Sequence, residues 1–384
     1  MTRRAVISGV AGTKMGKLEG TSVMSIHAEA TLAALADAGL QLDDIDGIMC
    51  AYSITEPHMM LSSVVSEYLG LQPTYSAAVS AGGASGCLMV MTAKALIEAG
   101  MCRHVLCVMG DNRLTGLPPG GAVAALSHVG HGQFEVPYGM TIPSCYALVA
   151  QRYMHDYGTT PEQLAHIAVT QRGYASRHPL AHMTRPLSLA EVCDSRVIAS
   201  PLRLFDCALI SDGGGAVIVS DADTVPDLAK PPVALLGSGQ KHTHEHIFQA
   251  PSLSDFGCAE ASRQAFAEAG LGPQDMDVIE VYDSFTITLV VELESIGFFA
   301  KGEAGAAAAD GALGPDGRFP CNTHGGLLSF GHSGAAGGMF HIIEAVQQLR
   351  GESGPRQVAD AELAYVHGDG GILSAHTALV LGRA

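Results

Sequence analysis

Short apolar runs alternate along the chain with stretches whose hydrophobic positions recur at helical spacing, and the order of that alternation repeats. Ala5-Val-Ile-Ser-Gly-Val-Ala11 reads as a first strand, because it is too short and too rich in small residues for a signal-peptide core or a membrane span. Ala34-Leu-Ala-Asp-Ala-Gly-Leu40 followed by Asp44-Ile-Asp-Gly-Ile48 predicts a helix closed by Gly39 at its C-terminal cap, a short loop and a strand. The pattern returns in Ala265-Phe-Ala-Glu-Ala-Gly-Leu271 and Asp275-Met-Asp-Val-Ile279, offset by 231 positions. A second echo pairs Ala84-Ser-Gly-Cys-Leu-Met89 and Val108-Met-Gly-Asp111 with Ala336-Gly-Gly-Met-Phe-His341 and Val366-His-Gly-Asp369.

Each half thus reads strand, helix, strand, glycine turn, buried small-residue helix, strand. That order favours an α/β fold with a mixed or parallel sheet covered on both faces. The spacing predicts an N-terminal half over 1–225, closed by the strand Ala216-Val-Ile-Val-Ser220. Pro226 and Lys230-Pro-Pro232 mark a linker, and Val233-Ala-Leu-Leu-Gly237 opens a second half over 226–384. A segment at about 114–203, rich in Gly, Pro, His and Arg, has no counterpart in the second half. It carries one clear helix around Cys145–Tyr157 and reads as a functional loop insertion.

Composition narrows the function. A length of 384 residues with 47% hydrophobic and only 15% charged residues suits two well-buried domains. The net charge of −17 argues against binding nucleic acid or an anionic membrane, since both require clustered cations. Nine scattered Cys without a CxxC pair read as reduced, cytoplasmic thiols. One region runs against the acidic background: five Arg between Gln171 and Arg203 face only Glu191 and Asp194. This is either a solvated loop face or a landing place for a polyanionic ligand, with Arg172, Arg177 and Arg185 as the candidates. His242-Thr-His-Glu-His246 could set three imidazoles on one strand face, but no further ligand cluster follows it, so no metal is expected.

The candidate chemistry gathers on glycine turns. Ala78-Val-Ser-Ala-Gly-Gly-Ala-Ser-Gly-Cys87 runs from a strand into the helix predicted over Cys87–Ala99, and duplication brings this turn close to the equivalent one near His332. Two helix N-termini then point at one spot, which favours an anion there. Taken in order, this turn, Val281-Tyr-Asp-Ser-Phe-Thr286, Asn322-Thr-His-Gly-Gly326, Gly331-His-Ser-Gly-Ala335 and Val366-His-Gly-Asp-Gly-Gly371 resemble the active-site blocks of the thiolase superfamily. Tyr282-Asp-Ser-Phe285, Tyr138-Gly-Met-Thr141 and Arg152-Tyr-Met-His-Asp-Tyr-Gly158 are similar to its lipid-transfer-protein (sterol-carrier-type) thiolase and thiolase-like aldolase branch. The resemblance implies the thiolase fold: two pseudo-duplicated βαβαβ-type halves in a layered αβαβα arrangement with an inserted loop domain.

Where that family carries its acyl-accepting cysteine, this chain has Gly83. The resemblance implies catalytic roles for Tyr282, His332 and His367, and an oxyanion and thioester site built by Gly83, Asn322, His324, Gly370 and Gly371. It also implies a coenzyme A thioester as substrate with no bound cofactor, a homodimer, and a small zinc-ribbon/OB-fold partner protein. Tyr282 can donate a hydrogen bond to the thioester oxygen and, with a lowered pKa, take a proton from a substrate hydroxyl. Cys87 sits at the spacing of its helix's apolar face, and Ser80 and Ser85 lack an adjacent base. Three readings stand. The first is a carbon–carbon lyase, or in reverse an aldol-type synthase, that cleaves a β-hydroxyacyl-CoA without an acyl-enzyme. The second is an acyltransferase or thiolase using Cys321 or a substrate or partner thiol, and the third is a silent scaffold subunit.

Overall fold

Nine strands hydrogen-bond in the order Tyr75–Val79, Gly47–Ala51, His104–Asn112, Asp212–Asp221, Ala5–Gly12, Val233–His242, Ala375–Arg383, Leu363–Gly370, Val278–Val281. The structure, a computed structural model, describes residues 3–127, 129–224 and 230–384, so the expected linker residue Pro226 lies outside the described residues. The two edges pair in parallel and the middle strands antiparallel. Among the described residues, the strands of residues 5–221 pair with those of 233–383 only at Val6↔Ala234 and Ile7↔Val233.

The sheet carries the duplication. Helix Val23–Ala38 ends at Gly39 with φ 71°, and helix Cys258–Ala269 ends at Gly270 with φ 69°; each glycine takes the left-handed conformation that L side chains resist. Their strands, Gly47–Ala51 and Val278–Val281, occupy corresponding places in the two sets. Helices Ser85–Glu98 and Gly337–Arg350 form the middle layer, each packing on strands of both sets. A Cβ added at Gly86 would lie 3.2 Å from the Met339 nitrogen, and one at Gly338 would lie 2.1 Å from the Gly83 carbonyl oxygen. Only residues without side chains permit this approach, which brings the two helix starts together.

Among the described residues, the segment after Asn112 carries more structure than the sequence suggested. The expected helix is observed as Ile142–Tyr157. Helix Pro161–Ala175, which the hydrophobic pattern did not single out, follows it. Its start is written in Thr160-Pro-Glu-Gln163: Thr160 accepts from the Gln163 N–H, and Gln163 accepts from the Thr160 N–H at 3.0 Å. Together with helix Thr286–Ile296, helix Cys258–Ala269 and the loop before Gly257, these helices bury a second apolar cluster that includes Tyr146, Tyr153, Phe285 and Leu289. No described helix is long and apolar enough to cross a membrane.

Candidate active site

A cavity of about 830 Å³ opens where the two middle helices begin, and Gly83, Tyr282, His332, Arg113, Asp369 and Gly370 share its wall. The volume is in the range of ligand pockets, and the rest of the lining is largely apolar. Tyr282 stands on the residue after strand Val278–Val281, whose end is clamped by Asn322. The Asn322 carboxamide accepts from the Val281 N–H and donates to the Val281 carbonyl, both at 2.7 Å. Asn322 does this from φ 51°, a backbone region that Asn enters more readily than most side chains.

The phenol that results fills the space a residue-83 side chain would take. A Cβ built on Gly83 would lie 2.1 Å from both Cζ and Oη of Tyr282. The ring packs edge-on to His332, with centroids 6.1 Å apart. His332 is held by its backbone: its carbonyl accepts from the Ser211 N–H at 3.0 Å, and its N–H donates to Ser211 Oγ at 3.3 Å. Gly337 leaves room for the imidazole, since a Cβ there would sit 2.7 Å from His332 Nδ1.

Burial sets the protonation states. It pushes the Tyr282 phenol well above the usual tyrosine range, assisted by Asp369 and Tyr52 and opposed by the Arg113 charge. The lowered phenol pKa considered from the sequence is therefore reversed, and the phenol is poised to donate its proton. Burial, with the Arg113 charge second, lowers His332 to about 3, so the ring is neutral, and its Nδ1 has no hydrogen-bond partner. Asp369 is raised well above the carboxylate range by burial. Its Oδ2 accepts from the Tyr146 hydroxyl at 3.1 Å, while its Oδ1 has no hydrogen-bond partner.

The structure does not bring every residue expected from the sequence to the cavity wall. His367 does not line the cavity: it shares a strand face with Asp369, which stands two residues nearer the strand end and reaches the opening. Behind it, His376 Nε2 meets the Leu373 carbonyl at 3.0 Å, His376 Nδ1 meets His367 Nε2 at 3.3 Å, and His367 Nδ1 meets Glu292 Oε2 at 3.2 Å. The two imidazoles share one hydrogen bond, and the Glu292 carboxyl lies beside His367 Nδ1 without a hydrogen bond to it. Burial raises the Glu292 carboxyl well above the usual carboxylate range.

His324 is also remote from the cavity wall, with Nδ1 at 3.0 Å from Glu280 Oε2. His341 Nδ1 meets the same oxygen at 3.3 Å, and burial raises Glu280 to about 7. Each of these two triads, Glu280, His324, His341 and Glu292, His367, His376, has the spacing of metal ligands, and in each the groups already contact one another. Asn322 lies off the cavity wall, where its Oδ1 and one Nδ2 hydrogen bond to the Val281 backbone.

The arginines do not converge on one phosphate site. Arg172 lines the cavity but donates to Ser329 Oγ at 2.9 Å and to the Arg185 carbonyl at 3.2 Å. Arg177 stacks on Tyr174 and donates to Gly173 and Pro355 carbonyls, and Arg185 pairs with Glu191 at 2.9 Å. Neither of those two is part of the wall. Cys321 and Cys87 are buried away from the cavity, with thiols raised by burial, Cys87 to about 12. Cys207 does reach the wall, yet burial raises it to about 12 and its Sγ lies 3.3 Å from the Arg203 carbonyl. The three imidazoles at 242, 244 and 246 take separate partners: Gln240, the Ile372 carbonyl and the Phe248 ring.

Asp369 and Arg113 are the groups that the sequence reasoning missed. Both stand at or just past the C-terminal end of a strand, where α/β proteins place ligand-contacting residues.

Comparison with known proteins agrees with this geometry. Residues 5–183 match the thiolase N-terminal domain, and residues 239–383 match the thiolase C-terminal domain-like family. An acetyl-CoA acetyltransferase of Methanothermobacter thermautotrophicus is 36% identical, covering 96% of this chain and 97% of its own. A steroid side-chain-cleaving aldolase of Thermomonospora curvata is 34% identical over 91% of each chain. The solved Ltp2-ChsH2(DUF35) aldolase superposes with a TM-score of 0.87 and is 32% identical, covering 99% of this chain and 98% of that one. With both halves matched and relatives aligned over nearly their full length, the chain belongs to the thiolase superfamily.

Proposed function

We propose that this protein breaks, or in reverse makes, a carbon–carbon bond next to a coenzyme A thioester, by retro-aldol cleavage of a β-hydroxyacyl-CoA without a covalent acyl-enzyme. The observation that carries the reading is the phenol of Tyr282 standing in the place of a residue-83 side chain. An acyl-enzyme needs a nucleophile at the helix start, and here the position holds hydrogen and the space holds an acid.

Retro-aldol chemistry requires a base for the hydroxyl, stabilisation of the enolate and an acid for its carbon. Neutral His332 accepts the β-hydroxyl proton. The Cα–Cβ bond breaks, Cβ becomes a carbonyl, and the electron pair passes into the thioester as an enolate. The converging helix starts and the Gly370 and Gly371 backbone face that charge. Tyr282 gives its phenolic proton to Cα, and the imidazolium proton returns to the tyrosinate, so the site ends as it began. His367 stands behind the wall on strand Leu363–Gly370, hydrogen-bonded to His376. Arg172 is the one arginine of the predicted trio that borders the substrate space.

The Ltp2-ChsH2(DUF35) aldolase supports a small partner protein that completes the acyl-CoA site, and co-purification with such a neighbour tests it. The test of the reaction is cleavage of a panel of β-hydroxyacyl-CoA esters, followed by release of the carbonyl product. Tyr282→Phe should lower kcat by about 10²–10⁴-fold, the usual worth of a positioned acid. Undiminished turnover in that variant sinks the reading.

A further inference from the structure

Resting on the acyl-CoA reading of the cavity, we infer that Arg113 is a specificity residue that pairs with a carboxylate on the acyl part of the substrate, so that the preferred substrates are thioesters of dicarboxylic acyl groups.

Arg113 is 4% exposed, and its Nε is buried without a hydrogen-bond partner. Among the described residues its guanidinium enters no ion pair. The two other buried arginines are provided for: Arg356 pairs with Glu344 at 3.0 Å, and Arg172 has Ser329 and a backbone carbonyl. A guanidinium stays charged even when burial disfavours it, so an unpaired one in a low-dielectric wall is costly until an anion arrives.

No side chain nearby serves as that anion. The Asp111 carboxylate is taken up by the segment after strand Gly47–Ala51 and by its own neighbour: it accepts from Ser53 Oγ at 3.1 Å, Ile54 N at 2.8 Å, Asn112 N at 3.0 Å, and the Thr55 hydroxyl. Asp369 is held protonated by burial and accepts from Tyr146. The fold nonetheless makes room for the arginine. Gly334, at φ 85°, leaves space that a Cβ would take at 2.9 Å from Arg113 Cδ.

Position selects the kind of anion. Arg113 borders the same space as Gly83, Tyr282 and His332, and its charge acts on both of the latter side chains. That is the reacting end of a thioester, whereas the phosphates of coenzyme A stand at the far end of the pantetheine arm. An acyl-borne carboxylate satisfies a planar, forked donor bidentately.

The test is equilibrium binding by calorimetry of malonyl-, succinyl- and glutaryl-CoA against propionyl-, butyryl- and valeryl-CoA, which carry a methyl group in place of the carboxylate. The expected result is that at least one dicarboxylic ester binds about tenfold or more tighter than its counterpart, as a charged hydrogen-bond pair provides. Arg113→Met should abolish that preference by weakening the dicarboxylic ester alone. Arg113→Lys, which keeps the charge and so is the variant to use if Met disturbs folding, should retain part of it. Equal binding of the two series to the wild-type protein, or a preference that survives Arg113→Met, overturns the inference. Binding does not depend on turnover: cleavage of β-hydroxyacyl-CoA without carboxylate preference overturns this inference alone, and binding of neither series overturns it together with the acyl-CoA reading.

Discussion

Adding one carbon at residue 83 is the sharpest perturbation of the site. In Gly83→Ala the new Cβ falls 2.1 Å from Tyr282 Cζ and Oη and 2.3 Å from Cε2, whereas non-bonded carbons rest at about 3.5–4.0 Å. The ring must therefore retreat by about 1.4 Å or more, and Gly338, His332 and His341 flank it. Overpacking of this kind costs about 1–3 kcal/mol. A misplacement near 1 Å costs about 10²-fold in rate. Thermal unfolding and kcat on the best β-hydroxyacyl-CoA should both report the change, and Gly83→Cys should gain no thiolytic activity, because its sulfur has no free space. A double-mutant cycle isolates the cause. In a Tyr282→Ala background the stability cost of Gly83→Ala should vanish, giving a coupling of about 1–3 kcal/mol. If Gly83→Ala leaves both the unfolding temperature and kcat unchanged, the phenol does not occupy that space and the steric argument is refuted.

Two further outcomes follow from protonation and packing. With His332 lowered to about 3 and Tyr282 well above its usual range, the base is neutral and the acid protonated across the ordinary range. A pH profile of kcat/KM should then be flat from about pH 5 to 9, and an acid limb near an ordinary imidazole pKa of about 6.5 contradicts the assignment. Asn322→Ala strips the Val281 N–H and carbonyl of their partners, and at about 1–3 kcal/mol for each unsatisfied group it should destabilise by about 2–6 kcal/mol. Urea unfolding measures this, and a variant as stable as the parent contradicts the clamp.

The duplicated architecture was legible because its punctuation is chemical: Gly39 and Gly270 mark equivalent helix ends, and the small residues around Gly86 and Gly338 announce two helices that touch. The approach of Gly83 and His332 followed from the same repeat, and Tyr282 joined them through the resemblance of its block. What escaped depends on side-chain direction. His367 sits in a motif that points to chemistry, but a strand turns every second residue to the same face and ends at Gly370, leaving Asp369 as the group that reaches the cavity. Asn322 and His324 share a block, yet one is used by the Val281 backbone and the other by Glu280, partners more than forty residues away in sequence. Arg113 gave no periodic signal, since a single charge after a strand is ordinary until the saturation of Asp111 is seen. Helix Pro161–Ala175 was readable from its capping box and was missed because its apolar face is weak.

The absence of an acyl-enzyme is tested most directly by weighing the intact protein, rapidly quenched during turnover of a β-hydroxyacyl-CoA. The mass should match the unmodified chain while the carbonyl product and the shortened acyl-CoA accumulate, and alkylation of accessible thiols with iodoacetamide beforehand should leave the rate unchanged. A mass increase equal to an acyl group on one cysteine, lost together with turnover after alkylation, would contradict the account.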